Sequence, residues 1–152
     1  MLDVIRMRRS IRSYTEQPIP AETIALLQEA IDCAPTSRGL ASRRVEWVTD
    51  AGRLEALAQA KAHGSAFVAR APLAVVVCGL PDVSDVWIED CAIAAITLQY
   101  AATSLGLGSC WAQIRKRTDA DGRSSEEVVR GVLELPDNVR VDCVIAVGHP
   151  RR

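Results

Sequence analysis

Aromatic residues are scarce in this 152-residue chain: one Phe, two Tyr and three Trp. A site built from stacked rings has few candidates: Tyr14, Trp47, Phe67, Trp87, Tyr100 and Trp111. Histidine is scarcer still. His63 and His149 are the only two, and neither completes a Ser/His/Asp arrangement or a His/carboxylate ligand set. Both read as loop residues. The five cysteines, Cys33, Cys78, Cys91, Cys110 and Cys143, are odd in number and contain no CxxC, which argues against a disulfide framework or a zinc site. A surplus of one charge sign is also missing. Eighteen Lys and Arg stand against nineteen Asp and Glu, net −1, so no global field recruits nucleic acid or an anionic membrane. The start has no apolar signal-peptide core, and with the unpaired cysteines this predicts a reducing, cytoplasmic setting. A glycine-rich dinucleotide fingerprint, internal repeats and low-complexity segments are absent as well.

What is present is the composition of a globular domain. Apolar residues make up 49% and charged residues 24%, and the length fits a single domain over residues 1–152 with a core of its own. Pro18-Ile19-Pro20 opens a helix carrying Ile24, Leu27, Ala30, Ile31 and Ala34 at helical spacing, and Pro35 stops it. Arg44–Thr49 reads as a strand. Asp50 caps a helix that His63-Gly64 breaks. Leu73–Cys78 is an unbroken apolar run, the pattern of a central strand covered on both faces. A long helix follows over Val86–Leu105, then an extended Ser109–Ile114. Ser124-x-x-Glu127 has the form of a capping box before another helix, and Val141–Val147 is a last buried strand. Alternating helices and strands predict a layered fold of mixed α/β composition.

The Val86–Leu105 helix is apolar on nearly every face, which requires burial or a membrane. Glu89, Asp90 and Gln99 interrupt the run, so burial between the sheet and a second subunit is the expectation rather than spanning.

The chemistry-bearing cluster is Arg8-Arg9-Ser10-Ile11-Arg12. Guanidinium groups fork onto phosphate oxygens, and a Ser hydroxyl adds a donor. Taken alone, the string reads more readily as a solvated basic terminus than as a phosphate site. Two further basic runs, Arg115-Lys116-Arg117 and Arg151-Arg152, stand later in the chain.

Four segments in register resemble the flavin-dependent nitroreductase family. Arg8-Arg9-Ser10-Ile11-Arg12-Ser13-Tyr14 is similar to its opening motif, and Ala34-Pro35-Thr36-Ser37-Arg38 to its second flavin-contacting loop. Asp90 to Trp111 resembles its central helix and following strand, and Val144–Pro150 its last strand and turn. The resemblance implies an α+β fold, with a mixed β-sheet flanked by helices and the long central helix at a homodimer interface. It implies an FMN-dependent oxidoreductase using NADH or NADPH. Such an enzyme passes electrons by ping-pong hydride transfer to electron-poor small molecules such as nitroaromatics, quinones or enones. Carried over, Arg8 and Ser10 hold the FMN phosphate with Arg9 beside them, and Arg151 or Arg152 completes that site. Arg12 reaches the pyrimidine edge of the flavin. Pro35, Thr36 and Ser37 approach the ring from the partner subunit. Ala112, Gln113 and Ile114 line it, with the backbone N–H of Gln113 or Ile114 facing N5. Flavin carries the redox chemistry itself, so neither a protein nucleophile nor a metal is required.

The chain departs from the family pattern in three places. Gly39-Leu40-Ala41-Ser42-Arg43 stands where Asn-x-Gln-Pro-Trp is common. Gln113-Ile114 replaces a frequent Gly-Gly. The sequence ends at Arg152, where many members continue. The altered loop keeps open an alternative role as an FMN-binding carrier or sensor with little reductase activity.

Overall fold

The computed structural model describes residues 1–151; Arg152 lies outside the described residues. In chain order the elements are α1 (Leu2–Met7), α2 (Ala21–Asp32), β1 (Arg43–Val48), α3 (Ala51–Ala58), β2 (Leu73–Gly79), α4 (Trp87–Ser104), β3 (Gly108–Gln113), α5 (Ser125–Leu133) and β4 (Arg140–Gly148). The apolar run after Pro72 becomes β2, buried along its whole length. The strands form one sheet in the order β1-β2-β4-β3. Side chains alternate across it. Leu73, Val75, Val77, Cys143, Ile145 and Val147 face α4, with Leu27 and Ile31 of α2 in the same cluster. Ala74, Val76, Cys78, Val144 and Ala146 face the opposite cluster, which holds Leu54 and Leu57 of α3 and Val129 of α5.

The α+β class expected of the sequence is the one observed, but the four strands pair antiparallel throughout. Parallel pairing is confined to a single bridge between Ser10 and Ser109. The mixed sheet is corrected accordingly: β2 and β4 are neighbours of opposite direction, and the intervening α4, β3 and α5 return the chain to the same edge.

Ahead of the basic run the chain forms a short helix over Leu2–Met7, a stretch too short to show periodicity in the sequence. Two local expectations are also corrected. Helix α3 ends at Ala58, ahead of His63-Gly64, and Ser65 Oγ donates to the Ala58 carbonyl at 2.7 Å. Ser124 occupies the N-cap of α5 without a side-chain capping bond. Instead Glu126 turns inward. Its carboxylate accepts from Arg140 Nε and Nη2, both at 2.8 Å, and from the Val141 N–H at 3.0 Å. Burial pushes this carboxyl's pKa up, but the Arg140 and Val141 donors outweigh it and the net shift is downward.

Helix α4 buries one face on the sheet, including Cys91, Ala94, Ala95, Leu98 and Ala102. On other faces Ile93 and Leu105 are exposed, as are Leu2, Ile5 and Met7 of α1 and Leu26 of α2. No helix among the described residues is long and apolar enough to cross a membrane.

Candidate functional site

After α1 the chain turns extended at Arg8 and lies along the outer edge of β3. The Ile11 N–H donates to the Ser109 carbonyl at 3.0 Å, and the Thr15 N–H donates to the His149 carbonyl at 2.9 Å. Tyr14 is buried beneath this segment, and its hydroxyl donates to the Ile11 carbonyl. Two glycines make room for it. A Cβ at Gly108 would lie 2.8 Å from Ile11, and one at Gly148 would lie 2.8 Å from Tyr14 and 2.6 Å from Pro72.

The Arg8–Arg12 segment thereby sets its basic groups around Cys110, a buried residue of β3. Burial raises the Cys110 thiol's pKa, and the charges of Arg12, Arg8 and Lys61 and a hydrogen bond with Ser10 act against it. Arg12 lies over the Phe67 ring, 5.9 Å from its centroid. Arg8 and Arg12 take part in none of the ion pairs among the described residues. Arg12 is exposed and makes no ion pair with Glu16, the carboxylate four residues on. Uncompensated guanidiniums with a hydroxyl among them suit a phosphate or another anionic group.

The other basic candidates are engaged with backbone. Arg9 Nη1 donates to the carbonyls of Arg6 and Arg8, at 2.6 and 2.8 Å. The Arg151 N–H donates to Ser13 O at 3.0 Å, and its Nε donates to Tyr14 O at 3.2 Å. The expectation for Arg152 lies outside the described residues.

Strand register separates the three residues at the end of β3. The Ile114 N–H donates to the Asp142 carbonyl at 3.2 Å, so Ile114 and Asp142 form a hydrogen-bonded pair. Antiparallel pairs alternate. Gln113, opposite Cys143, therefore points its N–H and C=O away from β4 to the open edge. Side chains follow the same alternation. Ala112 and Ile114 are buried in the core. Trp111 Nε1 donates to Gln113 Oε1 at 2.9 Å, and Gln113 Nε2 donates to the Arg115 carbonyl at 3.0 Å. The Gln113 side chain is thus tied back, and its backbone N–H faces outward beyond the segment carrying Arg12. The sheet edge thus carries an outward N–H at Gln113 and, along the same strand, the segment with Arg12 over Phe67.

Pro35, Thr36 and Ser37 are elsewhere. The Ser37 N–H donates to Asp90 Oδ1 at 2.9 Å, and Ser42 Oγ donates to Asp90 Oδ2, which fixes the loop on the first turn of α4. Ser109, by contrast, approaches Gln99, with their side-chain oxygens 3.4 Å apart. Asp90 and Gln99 are separated by about 13 Å of helix rise, so one chain does not bring the loop and the Arg8–Arg12 segment together. In the altered stretch, Arg43 Nη2 donates to the carbonyls of Ile31 and Ala34, at 3.3 and 3.0 Å. The substituted residues brace the end of α2.

Lys61 joins this constellation with no local signal in the sequence; Phe67, Gly108 and Gly148 stand in the sequence as a lone ring and as parts of two motif segments, without a role at this site. Only the tertiary fold brings them to Arg12 and Ile11.

These features define an α+β protein with a cluster of basic groups, unpaired among the described residues, at a sheet edge. The nitroreductase family model matches residues 5–81 and 54–149, and the chain belongs to that family. It is similar to an FMN-dependent nitroreductase of known structure from Clostridium difficile, at 36% identity and TM-score 0.97, over 100% of this chain and 88% of that one. It is also 31% identical to a Methanothermobacter thermautotrophicus protein provisionally named NADH dehydrogenase/NAD(P)H nitroreductase, over 99% of this chain and 77% of that protein. A Bacillus subtilis FMN reductase [NAD(P)H] is 29% identical over 93% of this chain and 62% of its own length.

Proposed function

We propose that the protein is an FMN-dependent NAD(P)H oxidoreductase that reduces electron-poor small molecules such as nitroaromatics, quinones or enones. The observation that carries the reading is the open Gln113 N–H at the β3 edge, beside guanidinium groups that have no carboxylate partner. FMN, when bound, would supply the redox chemistry, hydride exchange first with the nicotinamide and then with the acceptor in a ping-pong cycle. The chain's residues bind and bias it. Arg8 and Ser10 anchor the phosphate. Arg9 and Arg151, through their backbone bonds, brace the segment that presents them. Arg12 holds positive charge at the pyrimidine edge, where negative charge develops on reduction. The Gln113 N–H meets N5 while Ala112 and Ile114, locked in the core, fix its direction.

The site is completed in a homodimer. Pro35, Thr36 and Ser37 of the partner subunit cover the ring, and the exposed apolar residues of α1, α2 and α4 form the contact. Five free cysteines and a nicotinamide donor fit work in the cytoplasm. The test is anaerobic addition of NADH or NADPH to the FMN-loaded protein. Bleaching of the flavin absorbance, reversed by an acceptor, is expected. FMN binding without bleaching would leave the carrier role instead.

A further inference from the structure

The run Arg115-Lys116-Arg117 leaves β3 directly after Gln113 and Ile114, and its basic side chains are used by no part of the site described so far. The fold sets it against the segment following α3. The Ala62 N–H donates to the Thr118 carbonyl at 3.0 Å and joins the two. Between them lies a pocket of about 280 Å³ lined by Lys61, Ala62, His63, Lys116, Arg117 and Thr118.

No carboxylate lines this pocket, and its four basic residues appear in none of the ion pairs among the described residues. The nearby acidic groups are already engaged. Asp119 and Asp121 lie 2.7 and 3.7 Å from Arg123, and Asp142 lies 3.5 Å from Arg115. In a chain of net charge −1 this is a local cationic concavity that concentrates anions. The turn is built rather than loose. The Arg117 N–H donates to the Ile114 carbonyl at 3.1 Å, and the Ser125 N–H to the Arg117 carbonyl at 2.9 Å. Lys116 sits between these anchors at φ 61°, a left-handed conformation that costs a non-glycine residue about 1 kcal/mol or more. Lys61 is shared between this pocket and the group around Cys110.

Lys116 lies three residue steps beyond Gln113, at most about 10 Å of chain. The pocket therefore opens close to the N–H assigned to flavin N5. A dinucleotide whose nicotinamide met the flavin there would have to place its phosphates beyond the ring site, where this pocket offers cationic partners.

We propose that the Lys61/His63/Lys116/Arg117 pocket binds a phosphate group of the nicotinamide dinucleotide that reduces the flavin. The proposal rests on the flavin reading above. It is tested with the full-length FMN-loaded protein and the double variant Lys116→Gln/Arg117→Gln, both positions being exposed. Adenosine 2′,5′-bisphosphate and ADP-ribose are titrated by calorimetry, and KM is measured for NADPH and NADH. The expected result is a loss of about tenfold or more in fragment affinity, a matching rise in KM, and unchanged FMN affinity. A loss confined to adenosine 2′,5′-bisphosphate and NADPH assigns the pocket to the 2′-phosphate. Equal losses for both dinucleotides assign it to the pyrophosphate. Equal fragment binding and equal KM in the two proteins would overturn the proposal, as would a parallel loss of FMN affinity. Failure of the flavin reading itself is distinct: the unaltered protein would then bind no FMN or resist bleaching by both donors.

Discussion

Gly108 and Gly148 face each other across β3 and β4, and Ile11 and Tyr14 occupy the space their missing side chains leave. Any Cβ at Gly108 would press on Ile11 from 2.8 Å, and Ile11 sits between Ser10 and Arg12. Gly108→Ala should therefore cost about 1–3 kcal/mol of stability, as overpacking does. It should also weaken FMN binding about tenfold by lifting the anion-binding segment off the sheet edge. Thermal melting and fluorescence titration with FMN measure the two effects. Unchanged FMN affinity would detach the glycine pair from the site.

Arg8 is half-buried and free of carboxylate partners. Arg8→Ala should cost about 1.5–3 kcal/mol of FMN binding, the range for a hydrogen bond to a charged group. Wild-type affinity at moderate salt would remove Arg8 from the phosphate anchor.

Acid stability should depend on Glu126. Its carboxyl titrates below the ordinary carboxylate range because the Arg140 and Val141 donors outweigh its burial. A depressed folded-state pKa adds stability above the unfolded value of about 4.3, and that stability is lost as pH falls through the folded pKa. Glu126→Gln should lose about 1–2 kcal/mol at neutral pH, discounted because Arg140 is 43% exposed. Its difference from the parent should shrink below about pH 4. Asp142 acts with the opposite sign, since burial raises its pKa and its ionisation disfavours the fold as pH rises. The comparison is therefore made between Glu126→Gln and the parent in urea melts across pH 3–7. A difference independent of pH would contradict the assignment.

The exposed apolar residues of α1, α2 and α4, with an apolar groove among them lined by Val4, Ala30, Tyr100 and Ala101, need a partner surface. Light scattering should find a dimer at micromolar concentration, as obligate interfaces of this character give. A flavin-loaded monomer would contradict the two-chain site.

Much of this architecture is legible in the residues because burial leaves its mark on composition. The apolar runs of β2 and β4 and the alanine-rich α4 declare what they pack against. Other features depend on partners distant in sequence. Helix α1 has too few turns for a periodic pattern. Ser124 and Glu127 have capping-box spacing, yet the neighbouring Glu126 turns inward because Arg140 and Val141 lie across from it. The choice between Gln113 and Ile114 as outward N–H is decided by pairing with β4, which no local motif records. Lys61 and Phe67 join Arg12 only through the turn after α3. The Arg8–Arg12 segment was legible as chemistry, but its seat on β3 depends on two glycines forty residues apart.

The most direct test of the account is the flavin midpoint potential of Arg12→Gln against the unaltered protein. A guanidinium keeps its charge across the physiological pH range, so Arg12 should favour the anionic reduced flavin throughout. Its loss should lower the potential, by about 30 mV for each ~1.4 kcal/mol of lost charge contact, and slow reduction by the nicotinamide while FMN remains bound through its phosphate. An unchanged potential with normal reduction kinetics would leave Arg12 outside the flavin's surroundings and contradict the placement of the flavin at the β3 edge.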